Sequence, residues 1–222
     1  MLLIMKLRTE LYREQKLRWP ETGKVILAQY DQDSIIVYQA YRPSIGHFAA
    51  QKGYFGGEFK LSRMTWIKTS FLWMMYRSGW GTKEGQEVIL AIRMQRFAFD
   101  LILAQAVYSK YIPRMYENQR AWKDAVKVSN VRLQWDPDHS PTGDKLQRRA
   151  IQLGLRNEMI IKYSQEWILS IEDVSPFVAQ QRQNLREGNY HKLLTPSEYI
   201  YEVSDTNTAQ KLQLSKLESL GN

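Results

Sequence analysis

Cysteine is absent from the 222 residues, which excludes disulfides and thiolate nucleophiles and leaves any zinc site to histidine and carboxylates. Histidine is scarce as well. His47, His139 and His191 stand far apart, so no structural metal site is expected. No apolar run approaches the ~20 residues that span a bilayer, and Met1-Leu-Leu-Ile-Met5 is too short for a signal-peptide centre before Lys6 and Arg8. A cytoplasmic protein without a membrane partner is the expectation. The strong local motifs are missing too: there is no phosphate loop, no Gly-x-Gly-x-x-Gly after a strand, no His-Glu-x-x-His and no nucleophile elbow.

Acidic residues are scarce in one region. From Arg42 to Trp80 six cations (Arg42, Lys52, Lys60, Arg63, Lys68, Arg77) face Glu58 alone, which supplies +5 of a net charge of +8. Charge concentrated in this way points to an anionic partner, a nucleotide or a nucleic acid; a solvated basic face is the plainer alternative. Within it, residues 63–80 hold three tryptophans, Met74-Met75 and three cations with no acid.

Apolar groups at Leu3, Ile4, Leu7 and Leu11 have helical spacing and Pro20 stops them, predicting an N-terminal helix within 1–20. Residues 25–28 and 34–41 read as strands, the second β-branched and nearly continuously apolar, hence central. Residues 44–51 form a short helix behind Pro43, and Gly53, Gly56 and Gly57 make a loop carrying Tyr54 and Phe55. Residues 64–68 read as a strand, with a helix over 71–78 started at Ser70 and closed by Gly79. Residues 87–94 read as a strand and 97–108 as a buried helix, followed by a helix near 117–127. Strands at 131–135 and 149–155 flank a loop over 136–144, with a helix at 157–165, a strand at 167–171 and a helix at 175–186. Strands and helices mix without a βαβ alternation. The expected fold is α+β, a single domain over 1–203 with a mostly antiparallel mixed sheet flanked by helices, and a polar flexible tail over 204–222.

Three constellations can carry chemistry. Tyr41-Arg42 ends a central strand, where an arginine grips a diphosphate bidentately and a tyrosine stacks on a base. Arg63, Lys68, Ser70 and Arg77, roofed by Trp66, Trp73 or Trp80, can line an anion pocket at the helix start, whereas Phe71, Met74 and Met75 read as core. Asp136, Asp138 and His139 with Arg148, Arg149 and Gln152 form either a metal-binding or acid–base group or, more usually, a capped turn with surface charges.

Several stretches together resemble the uncharacterised family called domain of unknown function 4291: Ile-Leu-Ala-Gln-Tyr-Asp at 26–31, Val-Tyr-Gln-Ala-Tyr-Arg-Pro at 37–43, residues 64–80, Val-Arg-Leu-Gln-Trp-Asp-Pro at 131–137 and Arg-Ala-Ile-Gln-Leu-Gly-Leu at 149–155. The resemblance covers about residues 20–200, with Thr69 where that family's proline is expected, and it implies no activity. A looser similarity is to ADP-ribosyltransferases of the Arg–Ser–Glu type, carried by Arg42, Ser70 and Glu87 in that order. It implies that Arg42 grips the NAD diphosphate, Ser70 orients the nicotinamide ribose and Glu87 stabilises an oxocarbenium-like transition state. The Ser-Thr-Ser triplet of that group is missing, and Gly85 stands where its second glutamate would be.

These observations give two functional expectations. One is a nucleotide pocket, with NAD as cofactor, built from Tyr41, Arg42, Arg63, Lys68, Trp73 and Arg77, with Glu87 and Ser70 as catalytic residues for transfer to a protein or nucleic acid. The other is a non-catalytic RNA- or DNA-binding module using the same basic and aromatic surface.

Overall fold

The computed structural model describes residues 7–215. In chain order the elements are β1 (Thr9–Leu11), α1 (Tyr12–Lys16), β2 (Leu27–Ala28), β3 (Ser34–Tyr41), α2 (Pro43–Lys52), β4 (Thr65–Lys68), α3 (Phe71–Ser78) and β5 (Val88–Gln95). They continue with α4 (Arg96–Gln105), β6 (Ala106–Tyr108), α5 (Gln119–Val128), β7 (Val131–His139), β8 (Lys145–Leu155), α6 (Glu158–Lys162) and β9 (Ile168–Asp173). The chain then forms α7 (Ser175–Arg186), β10 (Leu194–Pro196), β11 (Tyr199–Ile200) and α8 (Thr206–Lys211).

Seven strands make one sheet in the order β6-β7-β8-β4-β3-β5-β9, antiparallel except for the β6–β7 pair. The fold is α+β. The β-branched run of β3 is buried from Ser34 to Gln39 and pairs with β5 along its whole length, as an interior strand should. Alternation divides its side chains between two faces. Ile35 and Val37 join Ile67, Leu90, Ile92, Leu133 and Ile151 beneath Phe99 and Ile102 of α4. Ile36 and Tyr38 join Ile89 and Ala91 beneath Phe71, Met74 and Met75 of α3 and Val178 of α7. On this second face the apolar cover gives way beyond β3: the register continues Tyr38–Lys68–Gln152–Gln134 across β4, β8 and β7.

Several segments differ from expectation. Glu10 and its neighbours form β1 because they pair with β10, so among the described residues of the predicted N-terminal helix only Tyr12–Lys16 is helical; Leu3 and Ile4 lie outside the described residues. Residues 106–108 leave the helix to pair with β7, and Phe97 and Leu101 of α4 are exposed. The predicted loop at 136–144 is strand up to His139, and the reversal occupies the residues between β7 and β8. A π-helical turn, Tyr163–Trp167, separates α6 from β9. Residues 204–215, expected within a flexible tail, include α8, capped by Asp205, and Leu212 is fully buried against the first face. Leu217 and Leu220 lie outside the described residues.

Candidate functional site

The tertiary structure divides the single predicted pocket into two clusters on opposite faces of β4. The first lies where β3 ends. Pro43 at the first turn of α2 forces Arg42 into an extended conformation, ending the strand. Beside it opens a cleft of about 410 Å³, lined among others by Tyr41, Arg42, Lys60, Arg63 and Thr65, with Glu58 as its acid. Arg42 pairs with Glu58 and is exposed on the rim. On the cleft wall the Tyr41 and Thr65 hydroxyls lie 2.6 Å apart, and Gln39 Nε2 donates to both. The Tyr41 ring meets Phe55 and Phe59 edge-on, and burial pushes its phenol well above the ordinary tyrosine range. Glu87 stands just before Val88, the residue opposite Tyr41. One of its carboxylate oxygens accepts the Gly85 amide at 2.8 Å; the other is buried without a hydrogen-bond partner among the described residues. Gly85 also lines the cleft.

The second cluster centres on Lys68. Its side chain emerges on the second face opposite Tyr38 and Gln152 and is only 5% exposed. Among the described residues it makes no hydrogen bond and no ion pair. Its charged neighbours are Arg77 on α3 and Asp136 on β7. Removal from water, followed by the Arg77 guanidinium, lowers its pKa from 10.5 to about 8, while Asp136 opposes the shift. Gln152 Nε2 donates to both Gln134 and Asp136 at 2.7 Å, fixing the amide beside the lysine.

Ser70 belongs to neither as a ligand group. Its hydroxyl accepts the Trp73 amide as the N-cap of α3 and donates to Asp138 at 3.3 Å. The place predicted for an anion at this helix start is taken by the protein itself: the buried Glu198 carboxyl group accepts the Phe71 amide at 2.7 Å. Asp138 in turn pairs with the buried Arg148 at 2.7 Å. The predicted acid–base group at 136–139 is therefore divided, Asp138 serving the α3 cap and Asp136 the lysine cluster. His139 is buried in a parallel stack with Tyr76 and Trp73, and burial lowers its pKa. Trp73 is thus a packing residue rather than a ligand platform. Trp80 packs edge-on against Phe71, and Trp66 lies over Gly154, where a Cβ would sit 3.0 Å from its ring.

Of the predicted residues, Tyr41, Arg42 and Arg63 share the cleft, Glu87 reaches it only through its bond to the lining Gly85, and Lys68 and Arg77 form the other cluster. Arg42, Ser70 and Glu87 do not converge. Ser70 follows Met64, which lines the cleft, by six positions, beyond the end of β4, and its hydroxyl is engaged by the Trp73 amide and Asp138. The sequence pattern missed Thr65, whose hydroxyl is the one beside Tyr41. Alternation from Lys68 gives the signal for it, because residues three apart on a strand face opposite sides. Glu198 carried no signal, being 127 positions from the amide it caps.

No group of three or more His, Asp and Glu residues that could hold a metal occurs among the described residues, and no described helix is long and apolar enough to cross a membrane. No curated protein matches the chain. Residues 25–201, spanning both clusters, match the family described as domain of unknown function (DUF4291), and the chain belongs to that family.

Proposed function

We propose that the cleft at the end of β3 binds a phosphorylated nucleotide. The observation that carries this is the convergence of Arg42, Lys60 and Arg63 around a cavity whose one acid is Glu58. Arginines engage phosphate through two parallel N–H bonds, and Glu58 holds Arg42 in place until a ligand oxyanion replaces it. Phe59 and Tyr41 offer the aromatic edge against which a base packs. With NAD as the nucleotide, Glu87 acquires a catalytic role, since its carboxylate, bonded to the lining Gly85, stabilises positive charge developing on the nicotinamide ribose. Thr65, rather than Ser70, then supplies the hydroxyl.

Calorimetric titration with NAD and ADP tests the reading. Binding is expected to weaken roughly tenfold in each of Arg42→Ala and Arg63→Ala, about 1.4 kcal/mol for a lost charged contact. Glu87→Gln should retain binding and abolish transfer. Nucleotide binding indifferent to both arginine substitutions refutes the site.

A second reading, a non-catalytic RNA or DNA module, rests on a different groove. Lys24, Lys110 and Arg149 there surround Tyr111 and Trp135 in a cavity of about 380 Å³. Three phosphate contacts give a log–log salt slope of roughly −2 for a single strand. An oligonucleotide affinity without that slope excludes it.

A further inference from the structure

Lys68 is an anomaly that the nucleotide cleft does not use. A lysine this buried is almost always paired, because an isolated ammonium loses its hydration without compensation. Here β4 sets Lys68 between Tyr38 of β3 and Gln152 of β8, and the Arg77 guanidinium, which acts on it, stands on α3. Asp136 on β7 is close enough to act on it but is bonded to Gln152 instead. Arg77 is exposed, and Gln134, Asp136 and Gln152 are half-buried, so the surface opens on this side of the lysine. A strand-borne amine with no hydrogen-bond or ion-pair partner among the described residues, a guanidinium beside it and a carboxylate within reach has the parts of a carbonyl-condensing site.

We propose that Lys68 is the reactive amine of a second site, which takes a small aldehyde or ketone bearing a phosphate or carboxylate group. Arg77 binds the anionic group. The Lys68 nitrogen lone pair attacks the carbonyl carbon, and a proton passes to the carbonyl oxygen, giving a carbinolamine. Loss of that oxygen as water forms the C=N bond, and Asp136 takes and returns the proton moved in the exchange. No oxidant or reductant is consumed. The depressed pKa of about 8 suits this role, since the neutral amine that attacks carbonyls becomes available in mildly alkaline solution rather than only above pH 10. The groups that set it are Arg77 from α3 and Asp136 from β7, with the uncharged Tyr38 of β3 alongside.

Pyridoxal 5′-phosphate, a phosphorylated aldehyde, is the probe, with borohydride reduction to fix the imine and peptide mass mapping to find it. Lys68 is expected to be labelled ahead of the exposed Lys52, Lys60 and Lys83, with a rate that rises through a midpoint near pH 8. Arg77→Ala should cut the Lys68 rate roughly tenfold while leaving the exposed lysines unchanged, the cost of one lost charged contact. Arg42→Ala should change nothing, which separates this site from the nucleotide cleft. Labelling spread over the exposed lysines with Lys68 spared, or a Lys68 rate indifferent to Arg77, overturns the proposal. Circular dichroism of Arg77→Ala checks that the fold is intact, and Arg77→Lys should recover part of the rate.

Discussion

Replacing Lys68 with methionine should stabilise the protein at neutral pH. Lys68 is buried, makes no ion pair among the described residues, and has its pKa lowered from 10.5 to about 8. That shift corresponds to about 3 kcal/mol of unfavourable interaction in the charged form. The folded state therefore binds fewer protons than the unfolded chain between about pH 8 and 10.5, so wild-type stability rises with pH across that window. Below pH 8 the amine is protonated in both states and the whole penalty is present; above 10.5 it is neutral in both and the penalty is gone. Methionine has a similar unbranched length and no charge to desolvate. Lys68→Met should thus raise the melting temperature at pH 7 by about 6–12 °C, taking 2–4 °C per kcal/mol for a domain of this size. The gain should shrink as the pH climbs through the window. Thermal unfolding of both proteins followed by circular dichroism from about pH 6 to 10.5 measures this. A variant less stable than wild type at pH 7, or a difference that does not change with pH, refutes the view that Lys68 is an uncompensated buried cation. A rigid, costly lysine is what the proposed amine chemistry requires, so a stabilised but unlabelled variant would be the expected exchange of function for stability.

Further outcomes follow from the packing at three residues, Glu198, Asp138 and Gly46. Glu198 has its carboxyl pKa pushed well above the usual range by burial, so the stability it contributes is present at low pH and declines as pH rises through that raised value; Glu198→Gln should be more stable than wild type at high pH in urea denaturation. Glu198→Ala, which leaves the buried Phe71 amide unmet, should instead cost about 1–3 kcal/mol at low pH, a cost that shrinks as the pH rises. Asp138→Ala strands the buried Arg148 guanidinium and should cost about 3–5 kcal/mol in the same assay, with Asp138→Asn recovering only part of it. Gly46→Ala places a methyl group 2.5 Å from the Val88 side chain, wedging α2 off β5, and should cost about 1–3 kcal/mol in thermal unfolding.

Local chemistry makes much of the fold legible. Ser70 and Gly79 bracket α3 as their capping preferences dictate, the serine accepting the Trp73 amide and the glycine adopting the left-handed conformation. The β-branched run at 34–41 sets the bounds of β3. Pro43 and Pro176 mark the starts of α2 and α7. These features depend on neighbours a few residues away. By contrast β1, β6 and the distal half of the β7–β8 hairpin do not show as strands in the sequence, because their identity comes from a partner distant in the chain or from pairing beyond a proline. Leu212 reads as tail because its helix is short and polar, and only the first-face cluster against which it packs makes it core.

The sequence by itself determined that residues 42–80 carry an excess of cations on strand and helix ends, because charge and periodicity are local properties. Only the tertiary structure decided how those cations are shared out. Strand alternation sends Thr65 and Lys68 to opposite faces of β4, so one basic block becomes a cleft around Arg42 and Arg63 and a separate lysine beside Arg77. A glutamate 127 residues away fills the helix start that the sequence offered to an anion, since a buried amide is met by whichever acceptor the fold brings to it, whatever its place in the chain.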